Sequence, residues 1–134
     1  MWVWIVIVLV FAALAYVRLA PIDAKAVHTA VDGDADKDGA GYALRVLPAT
    51  PGLLARLDAA MMAEPATTRL AGSVAEGRIS YVSRSKMVGF PDYTTVEERG
   101  GQIRLFARLR FGKSDLGVNR ARLTRVIATV EAGG

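Results

Sequence analysis

The stretch DYTTVEERGGQIRLFARLR, residues 92–110, carries the strongest indication of the fold in this sequence. Polar and apolar residues alternate on both sides of Gly100-Gly101, which is typical of two half-buried strands. Two adjacent glycines accept the positive φ angles of a tight hairpin turn. We therefore predict a β-hairpin with strands over 92–99 and 102–111.

A two-residue loop also sets the register of this hairpin. Val96 should face Leu105, and Glu97 should face Arg104 in an opposite-charge pair that adds up to about 1 kcal/mol. The core face is expected to carry Val96, Ile103, Leu105, Ala107 and Leu109, and the other face Tyr93, Thr95, Glu97, Arg104, Phe106, Arg108 and Arg110.

The flanking sequence predicts further strands over 67–73 and 77–86, and a short apolar piece over 42–47. Thr50-Pro51 resembles a helix start, with Thr as the N-cap and Pro at the first helical position. That helix should bury Leu53, Leu54, Leu57 and Met61 and end before Pro65; a last helix from Asn119 should bury Leu123, Val126, Ile127 and Val130 and expose Arg122, Thr124 and Arg125. This order predicts an α+β domain: an antiparallel sheet of three to four strands with two packed helices.

The amino-terminal stretch MWVWIVIVLVFAALAYV, residues 1–17, contains no charged residue, Pro or Gly. A run of about 20 apolar residues is long enough to cross a bilayer as a helix. We predict a transmembrane anchor over 1–22, with Trp2, Trp4 and Tyr16 at the interfaces and the Arg18 guanidinium reaching the headgroups. A signal peptide cleaved near Ala13-Leu14-Ala15 is the alternative, although no Lys or Arg precedes the run.

Residues 23–41 are small, polar and acidic, so we expect a flexible linker between the anchor and a domain over 42–134. Asp34, Asp36 and Asp38 resemble the first half of a calcium loop. Arg45 stands where that loop needs its bidentate Glu. We therefore expect a solvated acidic segment, with a weak calcium site as the alternative.

Composition excludes several classes of site. The chain has no cysteine, which rules out disulfides and thiolate chemistry, and its net charge of +4 does not require nucleic acid as a partner. Gly112-Lys113-Ser114 is not a phosphate loop, because Ala107 stands where the motif needs Gly. His28 is the single histidine and falls in the expected linker. We expect no catalytic residue, no metal site and no cofactor.

The densest group of candidate binding residues follows the last strand and leads into the last helix. Its side chains could converge on an anion or on a partner's carboxylates, near the positive end of the helix dipole. The structural alternative is that Asp115 pairs with Arg120 or Arg110 while Asn119 caps the helix. The candidate partner- or anion-binding residues are Arg104, Arg108, Arg110, Lys113, Ser114, Asp115, Asn119 and Arg120.

The segments YVSRSKMVGFPDYTTV, residues 81–96, and LFARLRFGKSDLGVNRARL, residues 105–123, resemble the bacterial and plant domain of unknown function 1499 family. That family carries a Gly-Phe-x-Asp segment and an Arg-Ser-Arg-x-Gly-x-x-Asp-x-Gly-x-Asn-x-x-Arg run. Leu109 departs from the pattern, because the family has Ser there. The matching positions are Gly89, Phe90, Asp92, Arg108, Arg110, Gly112, Ser114, Asp115, Gly117, Asn119 and Arg122.

The resemblance implies a small exported or membrane-tethered domain and no particular reaction. It also favours the periplasmic face of the bacterial inner membrane, although Arg18 and Lys25 after the span favour the cytoplasmic side. We expect a non-enzymatic, single-pass accessory subunit that docks on a larger membrane protein complex, respiratory or photosynthetic, and contacts membrane lipid. The alternative is a tethered domain that binds a lipid headgroup or small anion.

Overall fold

The computed structural model describes residues 1–85 and 89–133, which form four helices and one six-stranded antiparallel sheet. The helices are α1 (Trp2–Leu19), α2 (Ala24–Val27), α3 (Leu53–Met62) and α4 (Val118–Gly133), and the strands are β1 (Lys37–Asp38), β2 (Tyr42–Pro48), β3 (Thr67–Ser73), β4 (Arg78–Arg84), β5 (Pro91–Arg99) and β6 (Gln102–Leu109). The α+β class is confirmed. The expected count of three to four strands is wrong, because β1 and β2 add to the sheet.

The hairpin of β5 and β6 has the register that its two-glycine turn predicts. Val96 faces Leu105, Thr95 faces Phe106 and Tyr93 faces Arg108. The sheet order is β1-β2-β6-β5-β4-β3, so this hairpin forms its centre. β2 pairs with β6 across more than fifty residues of chain, which local sequence pattern does not reveal.

The core lies between one sheet face and helices α3 and α4. Ile103, Leu105 and Ala107 are fully buried on the sheet side, as their alternation predicts. Leu109 is only half-buried, because it lies at the end of β6 beside a pocket. The helices contribute Leu53, Leu54, Leu57, Ala60, Met61, Leu123, Val126 and Val130.

Helix α3 begins later than the Thr-Pro pair predicts. Gly52, with φ of +76°, is the N-cap, and the amide of Leu53 donates to the carbonyl of Thr50 at 3.1 Å. Pro51 and Gly52 therefore form a turn before the helix. The helix ends at Met62, before Pro65, as expected.

One buried polar cluster joins α3 to the sheet. Asp58 accepts hydrogen bonds from Arg69 Nε at 3.0 Å, from Arg69 Nη2 at 2.7 Å and from the Tyr81 hydroxyl at 2.7 Å. Tyr81 is fully buried. These hydrogen bonds, the two from Arg69 above all, lower the pKa of Asp58, and burial raises the pKa of Tyr81.

All long strands have one end near α1 and one end far from it. β2 begins at Tyr42 opposite Arg108, β5 begins at Pro91 opposite Arg84, and the turns 74–77 and 100–101 lie at the far end. We call the end that contains Pro91 and Leu109 the anchor side. Helix α4 also begins on the anchor side, directly after residues 111–117.

Candidate functional site

Residues 20–34, which we call the strap, cover the sheet face opposite the core. Val27 and Val31 are 6% and 3% exposed, and Val27 packs with Val82 and Tyr93 in a second apolar cluster. Composition predicts a flexible linker over 23–41. In the structure, the part of this linker that belongs to the strap is instead packed on the sheet. The physical reason is that the two valines bury apolar area on the sheet.

Arginines from the sheet and its hairpin hold the strap by its backbone. Arg108 Nη2 donates to the carbonyl of Val27 at 2.8 Å, Arg104 Nε to that of Gly33 at 2.8 Å and Arg99 Nη2 to that of Val31 at 2.9 Å. Burial lowers the pKa of Arg108 to about 10. Arg104, 8% exposed, and Arg108 thus serve an internal contact, so the structure does not present them as an open basic face.

Glu97 is the acidic partner in this layer. It is 3% exposed and accepts from Arg78 Nε at 2.6 Å, from Arg99 Nη1 at 2.6 Å and from the amide of Val31 at 3.1 Å. Glu97 and Arg104 are register partners, as predicted. The expected ion pair between them is wrong, because Arg78 and Arg99 take the carboxylate while Arg104 turns to the strap.

His28 is fixed on the strap rather than mobile. Its Nδ1 lies 2.8 Å from Ser80 Oγ and its Nε2 lies 2.9 Å from Glu76 Oε1. Ser80 is fully buried and also lies 2.9 Å from Thr95 Oγ1. A serine nucleophile must reach its substrate. Ser80 is buried, so we interpret its hydrogen bonds as structural. The contacts of His28 with Ser80 and Glu76 hold the strap against the sheet.

The acidic residues of the calcium-like segment have partners within the protein. Asp38 receives two hydrogen bonds from Arg45, at 2.6 and 3.2 Å, which lower its pKa. Asp36 accepts from the amide of Val46 at 2.9 Å. Across residues 1–85 and 89–133, no group of three metal-ligating side chains occurs.

Residues 111–117, which we call the anchor-side loop, are organised by Asp115. Its Oδ1 accepts from the amide of Gly117 at 2.9 Å, and its Oδ2 accepts from Asn119 Nδ2 at 2.8 Å. Oδ2 also accepts from the amide of Asn119, in the first turn of α4, at 3.3 Å, so Asp115 caps the helix in place of the expected Asn119. Positive φ angles at Gly112 (+93°) and Gly117 (+79°) allow the chain to turn on both sides of it.

A buried chain of polar groups continues from this cap into the sheet. Arg122 Nη1 donates to Asn119 Oδ1 at 2.5 Å and lies 3.6 Å from Asp92 Oδ2. Burial raises the pKa of Asp92 and lowers that of Arg122. Arg122 is 8% exposed, so its predicted outward position is wrong. It is buried because Asp92 lies beneath the first turns of α4.

These groups line a pocket of about 590 Å³ on the anchor side. Small-molecule sites commonly measure about 300–1,000 Å³. Asp92 and Arg122 supply its buried charges, and its remaining walls are mostly apolar. The lining, which we call the anchor-side pocket, is formed by Ser85, Phe90, Asp92, Leu109, Phe111, Gly112, Ser114, Asp115, Leu116, Val118 and Arg122.

The pocket lies beside the end of α1. The Tyr16 and Phe111 rings are in edge contact with centroids 6.2 Å apart. Arg110 Nη2 donates to the carbonyl of Pro21 at 2.8 Å. Helix α1 is long and apolar enough to cross a bilayer, and a signal sequence would meet the same criteria. Trp2 and Trp4 are exposed on it.

Comparison with known proteins places the chain in a family. A family model described as protein of unknown function (DUF1499) matches residues 17–130. The chain belongs to the DUF1499 family. No curated protein matches it.

In this DUF1499 domain, the predicted candidate residues do not form a single site. Ser114 and Asp115 line the anchor-side pocket, and Asn119 lies next to it in the chain of polar groups. Arg104, Arg108 and Arg110 contact the strap, whereas Lys113 and Arg120 are exposed.

The pocket residues that sequence reasoning did not select include Asp92, Arg122 and Phe90. All three are positions of the family pattern, so the resemblance to DUF1499 is the sequence feature that could have identified them. The apolar residues Phe111 and Leu116 fall outside that pattern. The family hallmark thus lies mainly around the anchor-side pocket of this DUF1499 domain. Lys86, at the end of the strand predicted over 77–86, lies outside the described residues.

Proposed function

We propose that this protein is a non-enzymatic, membrane-tethered domain that binds a lipid in the anchor-side pocket. One observation carries the proposal: a pocket with buried charges and an apolar rim lies where the anchor meets the domain. We further propose that α1 is retained in the inner membrane and that the domain lies on the periplasmic face.

The pocket chemistry suits a lipid headgroup with part of its acyl region. Arg122 provides a buried guanidinium, and its contact with Asp92 is loose at 3.6 Å. A zwitterionic or hydrogen-bonding headgroup can therefore approach it without breaking a tight ion pair, since the carboxylates of Asp92 and Asp115 also line the pocket. Phe90, Phe111 and Leu116 form the apolar rim, along which an acyl chain can run toward the bilayer.

A tryptophan at the pocket rim tests this proposal. Val118 is 46% exposed and lines the pocket, so Val118→Trp should fill it without disturbing the buried polar chain. Thr50→Trp is the matched control, since Thr50 lines a separate groove of about 330 Å³ at the far end of the sheet. We expect native mass spectrometry of the full chain, purified in mild detergent, to show a phospholipid adduct whose occupancy falls about tenfold only in Val118→Trp, a loss of about 1.4 kcal/mol in binding.

Two results would contradict lipid binding. One is a wild-type protein with no retained phospholipid, and the other is equal adduct occupancy in both tryptophan variants. Circular dichroism of each variant shows whether the domain remains folded, so a loss of adduct can be assigned to the pocket.

Docking on a larger membrane complex is the second candidate, and the state of α1 favours it. No residue of this helix is buried by the described domain, which leaves its surface before the last turn open to a partner. Ala12, Ala13 and Ala15 allow close helix approach. We expect an accessory subunit to co-purify stoichiometrically with one complex in mild detergent and to be lost when Ala12 and Ala15 are replaced by Leu. Purification as a free monomer would exclude this role.

A further inference from the structure

An exposed apolar patch lies on the anchor side of the domain. Leu116 is 93% exposed, Val118 is 46% exposed and Phe90 is 41% exposed. Exposed apolar patches on folded domains mark surfaces that meet another apolar phase or partner. We call Phe90, Leu116 and Val118 the anchor-side patch.

The structure holds Leu116 outward. Its amide donates to Ser114 Oγ at 3.2 Å, and the next amide, of Gly117, donates to Asp115. The amide of Asp115 in turn donates to the carbonyl of Ala40 at 2.9 Å. The loop is thereby tied to the body of the domain at Asp115, directly before Leu116, and is closed on itself around that exposed side chain.

Contacts with α1 place this patch at the level of the bilayer surface. Phe111 touches Tyr16, and the chain at Gly89 passes so close to Arg18 that a Cβ there would meet Arg18 Cγ at 3.3 Å. Both partners belong to the last turn of α1. The two segments that carry the patch therefore begin at the depth where the anchor leaves the membrane.

The length of α1 brings these segments close to the lipid. Its 18 residues give a helix about 27 Å long at about 1.5 Å per residue. The hydrocarbon core of a bilayer is about 30 Å thick. A helix of this length draws its own last turn, and the loops that touch it, down to the hydrocarbon boundary.

Positive charges flank the patch. Arg18 lies beside Gly89, and Lys113 is exposed on the same loop as Leu116. Cations beside an apolar surface are favoured at a membrane face, where lipid phosphates surround the hydrocarbon.

We propose that the anchor-side patch inserts into the outer part of the bilayer, with Leu116 among the acyl chains and Lys113 among the headgroups. The partner is the lipid surface itself, so this contact requires a retained anchor but no ligand in the pocket. It would fix the orientation of the domain on the membrane and keep the pocket rim at the lipid boundary.

Site-specific fluorescence in proteoliposomes tests the insertion. The native chain has no cysteine, so Leu116→Cys and, in a second protein, Phe90→Cys each give one labelling site for the environment-sensitive dye NBD. Val74→Cys is the control, since Val74 is 42% exposed and lies at the far end of the sheet, about 20 Å away along strands that rise about 3.3 Å per residue. The vesicles contain phosphatidylethanolamine, phosphatidylglycerol and a phospholipid with a nitroxide high in its acyl chain.

We expect NBD at 116 and 90 to emit at shorter wavelength and to be quenched by the nitroxide at a depth of about 5–10 Å. NBD at 74 should behave as in water. Equal behaviour at 116 and 74 would overturn the proposal. A blue-shifted but unquenched label at 116 would also overturn it, because a protein surface would then cover the patch. Lipid retention in Val118→Trp is a separate measurement, so insertion and pocket binding can fail independently.

Discussion

Replacement of Glu97 by alanine is expected to lower the free energy of unfolding by about 2–4 kcal/mol, because it removes a buried carboxylate that accepts from two partly exposed arginines and from a backbone amide. Glu97 is 3% exposed and accepts hydrogen bonds from Arg78, from Arg99 and from the amide of Val31. The loss should also free the strap. Thermal unfolding in detergent micelles measures the first effect, and hydrogen exchange of residues 27–34 measures the second.

Glu98→Ala is the matched control, since Glu98 is the adjacent carboxylate and is exposed. Its effect should remain within about 0.5 kcal/mol, the usual range for surface substitutions. If the two variants unfold alike, or if Glu97→Ala leaves the exchange of the Val31 amide unchanged, the strap is not held by this carboxylate.

Replacement of Asp58 by alanine should lower the free energy of unfolding by about 1–3 kcal/mol, chiefly because the hydroxyl of the fully buried Tyr81 then has no acceptor; the lost ion pair with the half-exposed Arg69 adds little. Adding Tyr81→Phe removes the stranded hydroxyl. The double variant should therefore be less destabilised than the sum of the two single variants. Additive losses would show that Asp58 and Tyr81 act separately.

The contribution of Asp58 should also depend on pH. Its pKa in the folded protein is lower than the value of 3.8 for a free side chain, chiefly because Arg69 donates to it. The unfolded state therefore binds more protons, and the stabilisation is complete above the unfolded pKa and lost as pH falls through the folded pKa. The stability difference between wild type and Asp58→Asn should be constant from pH 6 to 8, as expected about two units above 3.8, and should shrink below pH 4. A difference that persists unchanged at low pH would contradict this.

The hairpin register was predictable because it depends on local features. Two glycines and strict alternation determine which residues face each other across β5 and β6. The place of β2 in the same sheet is not predictable from local pattern, because its pairing of Tyr42 with Arg108 joins distant parts of the chain. A two-residue strand such as β1 carries too short a pattern to be detected.

The candidate site was less predictable, because it depends on burial that composition does not show. The strap is acidic and rich in small residues, yet it packs through two valines and through its backbone carbonyls. Helical spacing placed Arg122 outside, whereas Asp92 at the end of the hairpin draws it inward. Arg122 thereby becomes part of the pocket lining.

The hydrogen bonds that hold the strap limit which sequence changes it can accept. Four arginines hold it through the peptide carbonyls of Pro21, Val27, Val31 and Gly33. Every amino acid has the same backbone carbonyl, so most substitutions in this segment leave these four hydrogen bonds intact. An inserted or deleted residue, in contrast, shifts the carbonyls away from their donors. Apart from its buried apolar residues, His28 and Gly33 with φ of +119°, the strap can therefore vary in composition but not in length.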